Sequence, residues 1–266
     1  MQLGISTACF YPMLTEEAFR LCGQLGVRTA EIFFNSPAEL DGPIFDEVLA
    51  IQREYAIDVV SLHPFGSFGE PYYYFSAYER RCYDTLEDYR RNAYAAARLG
   101  ASFVVMHGGR PSTIPDEVYW ERFRLIQAAC REEGVELAHE NVVHYRLEHP
   151  DFVARMRSAF GGDLSFVLDI KQAVRAGVDP LAMLDAMGPC LRHVHLNDHT
   201  GEHSCLPPGE GNFDFVRLFS RLRQLGFDGA GVIEVYRGDF EQPEELMTSL
   251  QTVRQCARQA GWNDPL

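Results

Sequence analysis

The 266-residue sequence is short of positive charge. Lys171 is its one lysine, and 24 basic residues against 38 acidic ones leave a formal net charge of -14. Affinity for a nucleic-acid backbone comes largely from basic surface that displaces counterions, so this balance argues against a DNA or RNA partner. It argues equally against an anionic membrane. Sulfur pairing motifs are missing as well. The seven cysteines (Cys9, Cys22, Cys82, Cys130, Cys190, Cys205 and Cys256) are odd in number and never spaced C-x-x-C. Neither a disulfide framework nor a zinc knuckle is suggested, and a reducing compartment is the simplest reading. No apolar run approaches the roughly 18 residues of a membrane span, and the run Leu3 to Phe10 lacks the basic flank of a signal peptide. A cytoplasmic protein is expected, with a homo-oligomer compatible with everything in the sequence.

Linkers, sequence repeats and low-complexity segments are absent too, so nothing divides residues 1–266 into separate domains. What is present is an alternation of short β-rich runs with longer amphipathic ones, at the spacing of about 30 residues typical of a β-α unit. Eight runs read as strands: LGISTACF from Leu3, TAEIFF from Thr29, VVSLHPF from Val59, SFVVMHGG from Ser102, VELAHENV from Val135, LSFVLDIKQA from Leu164, LRHVHLND from Leu191 and GAGVIEVYR from Gly229. Helical patterns begin near Glu16, Asp46, Tyr78, Glu117, Pro150, Asp179, Asp214 and Pro243. Gly26, Gly100, Gly134, Gly226 and Gly261 fall where helices end on a left-handed residue, and Thr15 and Asp214 are placed to cap helix starts.

Two folds accommodate eight such units, a closed (β/α)8 TIM barrel and a doubly wound open sheet. A dinucleotide-binding open sheet concentrates its chemistry in a G-x-G-x-x-G turn after the first strand, where this chain reads Thr7-Ala8-Cys9-Phe10-Tyr11-Pro12. Ionisable residues instead mark the ends of the later strands: His63, His107, Glu140, Asp169, His195 and Glu234. In a barrel those ends converge on one face, where the active sites of that fold lie. A single α/β barrel is the economical architecture.

Carboxylates gathered in a barrel mouth are costly to bury unless a cation or hydrogen bonds compensate them. Taken singly, each of these residues could be a polar side chain satisfied by backbone or water. Taken together, Glu140, Asp169, His195 and Glu234 offer three oxygen donors and one nitrogen donor, a set suited to one divalent ion, Mn2+ or Zn2+ first and Mg2+ or Co2+ next, rather than to thiolate chemistry.

The ordered motifs SLHPF at His63, VVMHGG at His107, AHENV at Glu140, FVLDIKQA at Asp169, HVHLND at His195, PPGEG from Pro207 and VIEVY at Glu234 resemble the xylose isomerase-like TIM barrel superfamily, in particular its sugar phosphate isomerase/epimerase branch. The resemblance spans essentially the whole chain. It implies that Glu140, Asp169, His195 and Glu234 bind one divalent metal and that Glu140 and Glu234 also move protons. The expected reaction is isomerisation or epimerisation of a small sugar or sugar phosphate, a ketose or related hydroxy-ketone, through a metal-stabilised enediolate. Loss of a hydroxyl instead would make an inosose-type dehydratase. The related AP endonuclease branch has a further histidine three residues after the strand-six aspartate and an Asp-x-His after strand seven. Here those places hold Gln172 and His203-Ser204-Cys205, so a three-zinc nuclease site is incomplete. A non-catalytic sugar-binding protein would not need two glutamates on one metal.

Around this set, His63 and His107 are expected to bond substrate hydroxyls or a water, with packed core histidines as the alternative. Lys171 can meet a substrate oxygen or serve as the buried partner of Asp169. Arg110 and Arg237 follow strands four and eight, where an arginine can fork onto a carboxylate or phosphate, although a solvated loop position is more usual. His193 shares strand parity with His195 one layer deeper and is expected to pack and hydrogen-bond. Glu31 fits either an interior polar layer or the site edge. The aromatic run Tyr72-Tyr73-Tyr74-Phe75 fits a lid or loop packing, and Gly209 and Gly211 read as a turn more readily than as a phosphate cradle.

Overall fold

Apolar runs rich in Val, Ile, Leu and Phe and covered on both faces are what parallel strands under helices require. In the structure, a computed structural model that describes residues 1–111 and 114–263, they form β1 (Gln2–Ser6), β2 (Thr29–Phe33), β3 (Asp58–His63), β4 (Phe103–Met106), β5 (Glu136–Glu140), β6 (Ser165–Asp169), β7 (Leu191–Leu196) and β8 (Ala230–Ile233). Each strand pairs in parallel with its successor, and pairing of Gln2 with Ala230 through Ile5 with Ile233 closes β1 onto β8 as a barrel. The closed barrel settles the choice of fold against an open sheet.

Helices surround the barrel: α1 (Thr15–Gln24), α2 (Gly42–Tyr55), α3 (Glu70–Tyr73), α4 (Arg80–Asp84), α5 (Leu86–Leu99), α6 (Asp116–Glu132), α7 (Pro150–Phe160), α8 (Ile170–Arg175), α9 (Pro180–Met187), α10 (Phe215–Gln224) and α11 (Pro243–Gln259). The five glycines expected after helices all have positive φ. Asp214 caps α10, its Oδ1 accepting the Arg217 amide at 2.9 Å. Thr15 does not cap α1. Its hydroxyl is drawn away to donate to Glu39 Oε2 at 2.8 Å, and Leu14 stands at the helix start with no side-chain cap. The helical run expected from near Tyr78 is broken at Thr85 into the short α4 and the long α5.

The period of two along each strand sorts the residues into an outer wall and an interior. Leu3, Ile5, Ile32, Leu62, Val104, Leu137, Phe166 and Val194 belong to the main apolar core, which also takes in Phe19, Phe45, Ile126, Val153, Leu218 and Val253 of the helices. Inward positions at the lower end are apolar: Phe103, Val105, Ala138 and Val167, then Val60, Ala230 and Val232. The next inward positions towards the C-terminal ends are polar. Two residues beyond Ala138, Val167 and Val232 come Glu140, Asp169 and Glu234, so strand parity alone aims all three carboxylates at the barrel mouth.

Candidate metal centre

Glu140 and Asp169 are the last residues of β5 and β6, His195 is the penultimate residue of β7, and Glu234 follows β8. One ligand atom from each lies within 4.8 Å of the others. The His195 Nδ1 is the hub, 2.8 Å from Glu234 Oε2, 3.5 Å from Asp169 Oδ2 and 3.6 Å from Glu140 Oε1. It is buried and makes no hydrogen bond, although oxygens surround it. An imidazole nitrogen facing three carboxylate oxygens is the donor arrangement of a cation site, and the hard oxygen and imidazole donors suit a divalent ion. The residues present therefore fit such a metal.

The other nitrogen of His195 fixes the ring. Its Nε2 lies 3.2 Å from Glu31 Oε2, the carboxylate-to-imidazole contact that orients metal-ligating histidines. Glu31 is fully buried and accepts the Ser6 hydroxyl at 3.0 Å and the Ser61 hydroxyl at 2.7 Å, with His193 Nε2 at 3.4 Å. Burial alone would raise its pKa, but His195 and His193 outweigh that and hold it well below the usual carboxylate range. Glu31 is thus part of an interior polar layer, with His193 beside it as parity predicts. Asp169 is held by its backbone. Asn141 Oδ1 accepts the Asp169 amide at 2.7 Å while Asn141 Nδ2 donates to the Asp169 carbonyl at 3.0 Å. The Asp169 carboxylate also caps α8, Oδ1 accepting the Gln172 amide at 3.1 Å. Gln172 turns its own side chain to the Val143 amide.

Lys171 is buried against the acids, its Nζ donating to Asp169 Oδ2 and, at 2.8 Å, to Glu234 Oε2. Burial opposes the ammonium charge, and Asp169 and Glu234 more than restore it, holding Lys171 well above the ordinary lysine pKa. For Glu234 the same balance runs the other way: burial raises it, while Lys171 and His195 bring it below the usual range. Glu140 also ends up well below that range, with burial outweighed by His107 and His195.

His63 and His107 both face Glu140, their Nε2 atoms lying 3.6 and 3.2 Å from its Oε2 and 3.1 Å from each other. With Glu140 they form a second group of potential ligands, and Glu31, His193 and His195 form a third. Gly108, next to His107, has a φ of +84°, and its amide is accepted by Glu70 Oε2 at 2.5 Å. Glu70 also accepts the Tyr89 hydroxyl at 2.6 Å and was not singled out in the sequence. Arg237 donates to the carbonyls of Phe240 at 2.8 Å and Glu241 at 3.3 Å in its own loop, and Arg110 is an exposed residue of the connection between β4 and α6.

Above the carboxylates opens a cavity of about 380 Å³ floored by Lys171 and Glu234 and walled by Phe33, Phe65, Phe68 and Tyr236. Phe68 is 72% exposed. The Tyr72–Phe75 run divides instead: Tyr72 and Tyr73 are exposed, while Tyr74 is buried and Phe75 stacks on Tyr119 at 4.2 Å between centroids. In the PPGEG loop, Asp198 takes the backbone amides, Oδ2 accepting Gly209 at 2.9 Å and Oδ1 accepting Phe213 at 2.9 Å and His199 at 2.8 Å. Gly211 lies so close that a Cβ there would be 2.3 Å from Asp198 Oδ1.

A closed parallel barrel with buried His, Asp and Glu clusters of this kind at its mouth belongs to the class of TIM barrels with a divalent-metal-type centre. Residues 19–256 match the family model described as Xylose isomerase-like TIM barrel, and the chain belongs to that family. It is 29% identical over 286 aligned positions, 97% of each chain, to an uncharacterized protein of Mycobacterium tuberculosis (strain ATCC 25618 / H37Rv). Among solved structures it resembles a D-tagatose 3-epimerase-like protein, at 19% identity and a TM-score of 0.79 over 97% of both chains. It also resembles the apo form of 3-keto-D-glucoside 4-epimerase from E. coli, at 19% identity and a TM-score of 0.75 over 96% of this chain and 100% of that one. No helix among the described residues is long and apolar enough to cross a membrane.

Proposed function

We propose that the protein is a divalent-metal-dependent sugar isomerase or epimerase acting on a ketose, free or phosphorylated, or a related small hydroxy-ketone. The observation that carries this reading is the gathering of Glu140, Asp169, Glu234 and the unbonded His195 Nδ1 within 4.8 Å beneath an aromatic-walled cavity. The likeness of the fold to a protein named as D-tagatose 3-epimerase-like and to one named as 3-keto-D-glucoside 4-epimerase supports it. A cation held by these four residues supplies Lewis-acid polarisation of a carbonyl and its neighbouring hydroxyl.

The chain's own groups do the rest. Phe33, Phe65, Phe68 and Tyr236 offer apolar faces for the C–H side of a sugar and exclude water around it. Glu140 and Glu234 come from strands separated by β6 and β7, so their carboxylates reach a molecule between them from different sides. One removes the proton beside the carbonyl, and the other returns a proton to the opposite face, which inverts that carbon. His107 and His63 face the Oε2 edge of Glu140. Return of the proton to the adjacent carbon gives an aldose from a ketose, and expulsion of a hydroxyl gives dehydration.

The test is a panel of ketoses and ketose phosphates incubated in deuterated water with metal-reconstituted protein. Deuterium should enter the inverted or newly protonated carbon of one substrate. Glu140→Gln and Glu234→Gln should each lose at least about 10^2-fold in rate, the usual contribution of a positioned acid or base, while retaining metal by elemental analysis. Near wild-type turnover by either variant sinks the two-glutamate mechanism. One tightly bound ion per chain is expected, and filling of the His63, His107 and Glu140 group as well would overturn a mononuclear site.

A further inference from the structure

The Lys171 ammonium and a metal ion at this centre need the same lone pairs. Lys171 Nζ bonds Asp169 Oδ2 and Glu234 Oε2, the two oxygens that face His195 Nδ1 at 3.5 and 2.8 Å. We propose that Lys171 is an internal counter-cation, which holds the carboxylates together while no metal is bound and swings into the mouth cavity, towards a substrate oxygen, when a divalent ion enters. This rests on the metal reading above and adds an exchange between two cations.

Three observations carry it. Glu140, Asp169 and Glu234 crowd into a space from which water is largely excluded, and carboxylates so placed need a nearby positive charge. Lys171, at 3% exposure, supplies one directly to Asp169 and Glu234. It is also the sole lysine among the chain's 24 basic residues. A compact ammonium on a flexible stem can stand in for a metal ion and then leave, whereas a planar guanidinium with five forked donors is a poor stand-in for a point charge. The destination is built as well. Lys171 already lines the mouth cavity, with its Nζ 5.9 Å from the Tyr236 ring, so rotation about its own side-chain bonds suffices.

Two measurements test the exchange without using turnover. In the first, Mn2+ is titrated calorimetrically into metal-stripped wild type, Lys171→Met and Lys171→Gln. Removing a competing charge next to the ligands should tighten Mn2+ binding by about tenfold or more. Metal-stripped Lys171→Met should melt below metal-stripped wild type, and Mn2+ should close the gap. Wild type that binds Mn2+ as tightly as both variants, or more tightly, overturns the exchange and leaves the metal site standing. Failure of all three proteins to bind any divalent ion overturns both. The second measurement uses the single lysine, since labelling Nζ with 15N gives one resonance without any assignment. It should be sharp and protected in metal-stripped protein, and should shift and lose protection when diamagnetic Mg2+ saturates the site. A resonance that stays unchanged at saturation sinks the proposal.

Discussion

His139 points the other way from its neighbour Glu140, out through the barrel wall, where its Nε2 meets the Tyr119 hydroxyl at 2.7 Å and its ring stacks on Phe123. Burial in that apolar sandwich lowers its pKa from 6.5 to about 3. The sign of the effect on stability follows. Above pH 6.5 the ring is neutral in both folded and unfolded chains, and its contribution is fully present. As the pH falls between those two values, only the unfolded chain takes up the proton, so stability is lost at up to about 1.4 kcal/mol per pH unit from this one residue. Urea midpoints measured from pH 7 to pH 5 should show this slope, and His139→Gln, which can still accept from Tyr119, should show less of it. An unchanged slope in the variant would place the acid sensitivity elsewhere.

Elements were legible in the sequence where one signal dominated, and displaced where two competed. The strands stood out because two-sided burial makes each a dense apolar run bounded by polar or glycine residues. The strand pattern from Leu164 runs on in the sequence through Ala173, past the end of β6 at Asp169, because apolar Ile170 and Ala173 continue the strand's composition. Six residues are too few for a helical period to declare itself, and α8 starts there because the Asp169 carboxylate caps it. Thr15 failed as a cap for a reason local sequence cannot carry, since its partner Glu39 lies 24 residues away. Asp214 is the contrasting case, bonded within its own first turn. Asp214→Ala should therefore destabilise the protein by about 1 kcal/mol, read from chemical denaturation. No loss would show that the buried face of α10 (Phe215, Leu218, Phe219 and Leu222) holds the helix unaided.

At the scale of the whole molecule, closure of the barrel turns separate strand ends into one site. Strand parity and the strand-end position are local properties, which is why Glu140, Asp169, His195 and Glu234 could be picked out one at a time. The contacts that support them could not. Glu31 reaches His195 across 164 residues, and Asn141 steadies Asp169 across 28. The walls of the mouth, Phe65 and Phe68, belong to the 3-10 turn after β3, and Glu70, which follows that turn, accepts the Gly108 amide of the next unit. Arg237 illustrates the converse: a position after a strand does not say whether a long side chain turns inward or, as here, onto its own loop. The absence of cysteine pairing in the sequence also has its counterpart in three dimensions. All seven thiols are free, and burial pushes those of Cys22 and Cys130 up to about 12.

The loop after β7 is wrapped around an anion of its own. Three amides, those of His199, Gly209 and Phe213, close on the Asp198 carboxylate. Convergent amides are the means by which proteins capture free oxyanions, and here the captive is tethered to the chain. Asp198→Ala would cut the tether and leave the cage. The variant should unfold at lower urea than the wild type and regain part of the difference in sodium sulfate, beyond what sulfate does for the wild type and beyond sodium chloride at equal ionic strength. Equal responses to the two salts would mean that the cage collapses once its occupant is gone. A sulfate-specific rescue would mean that one substitution has exchanged a built-in anion for a diffusible one.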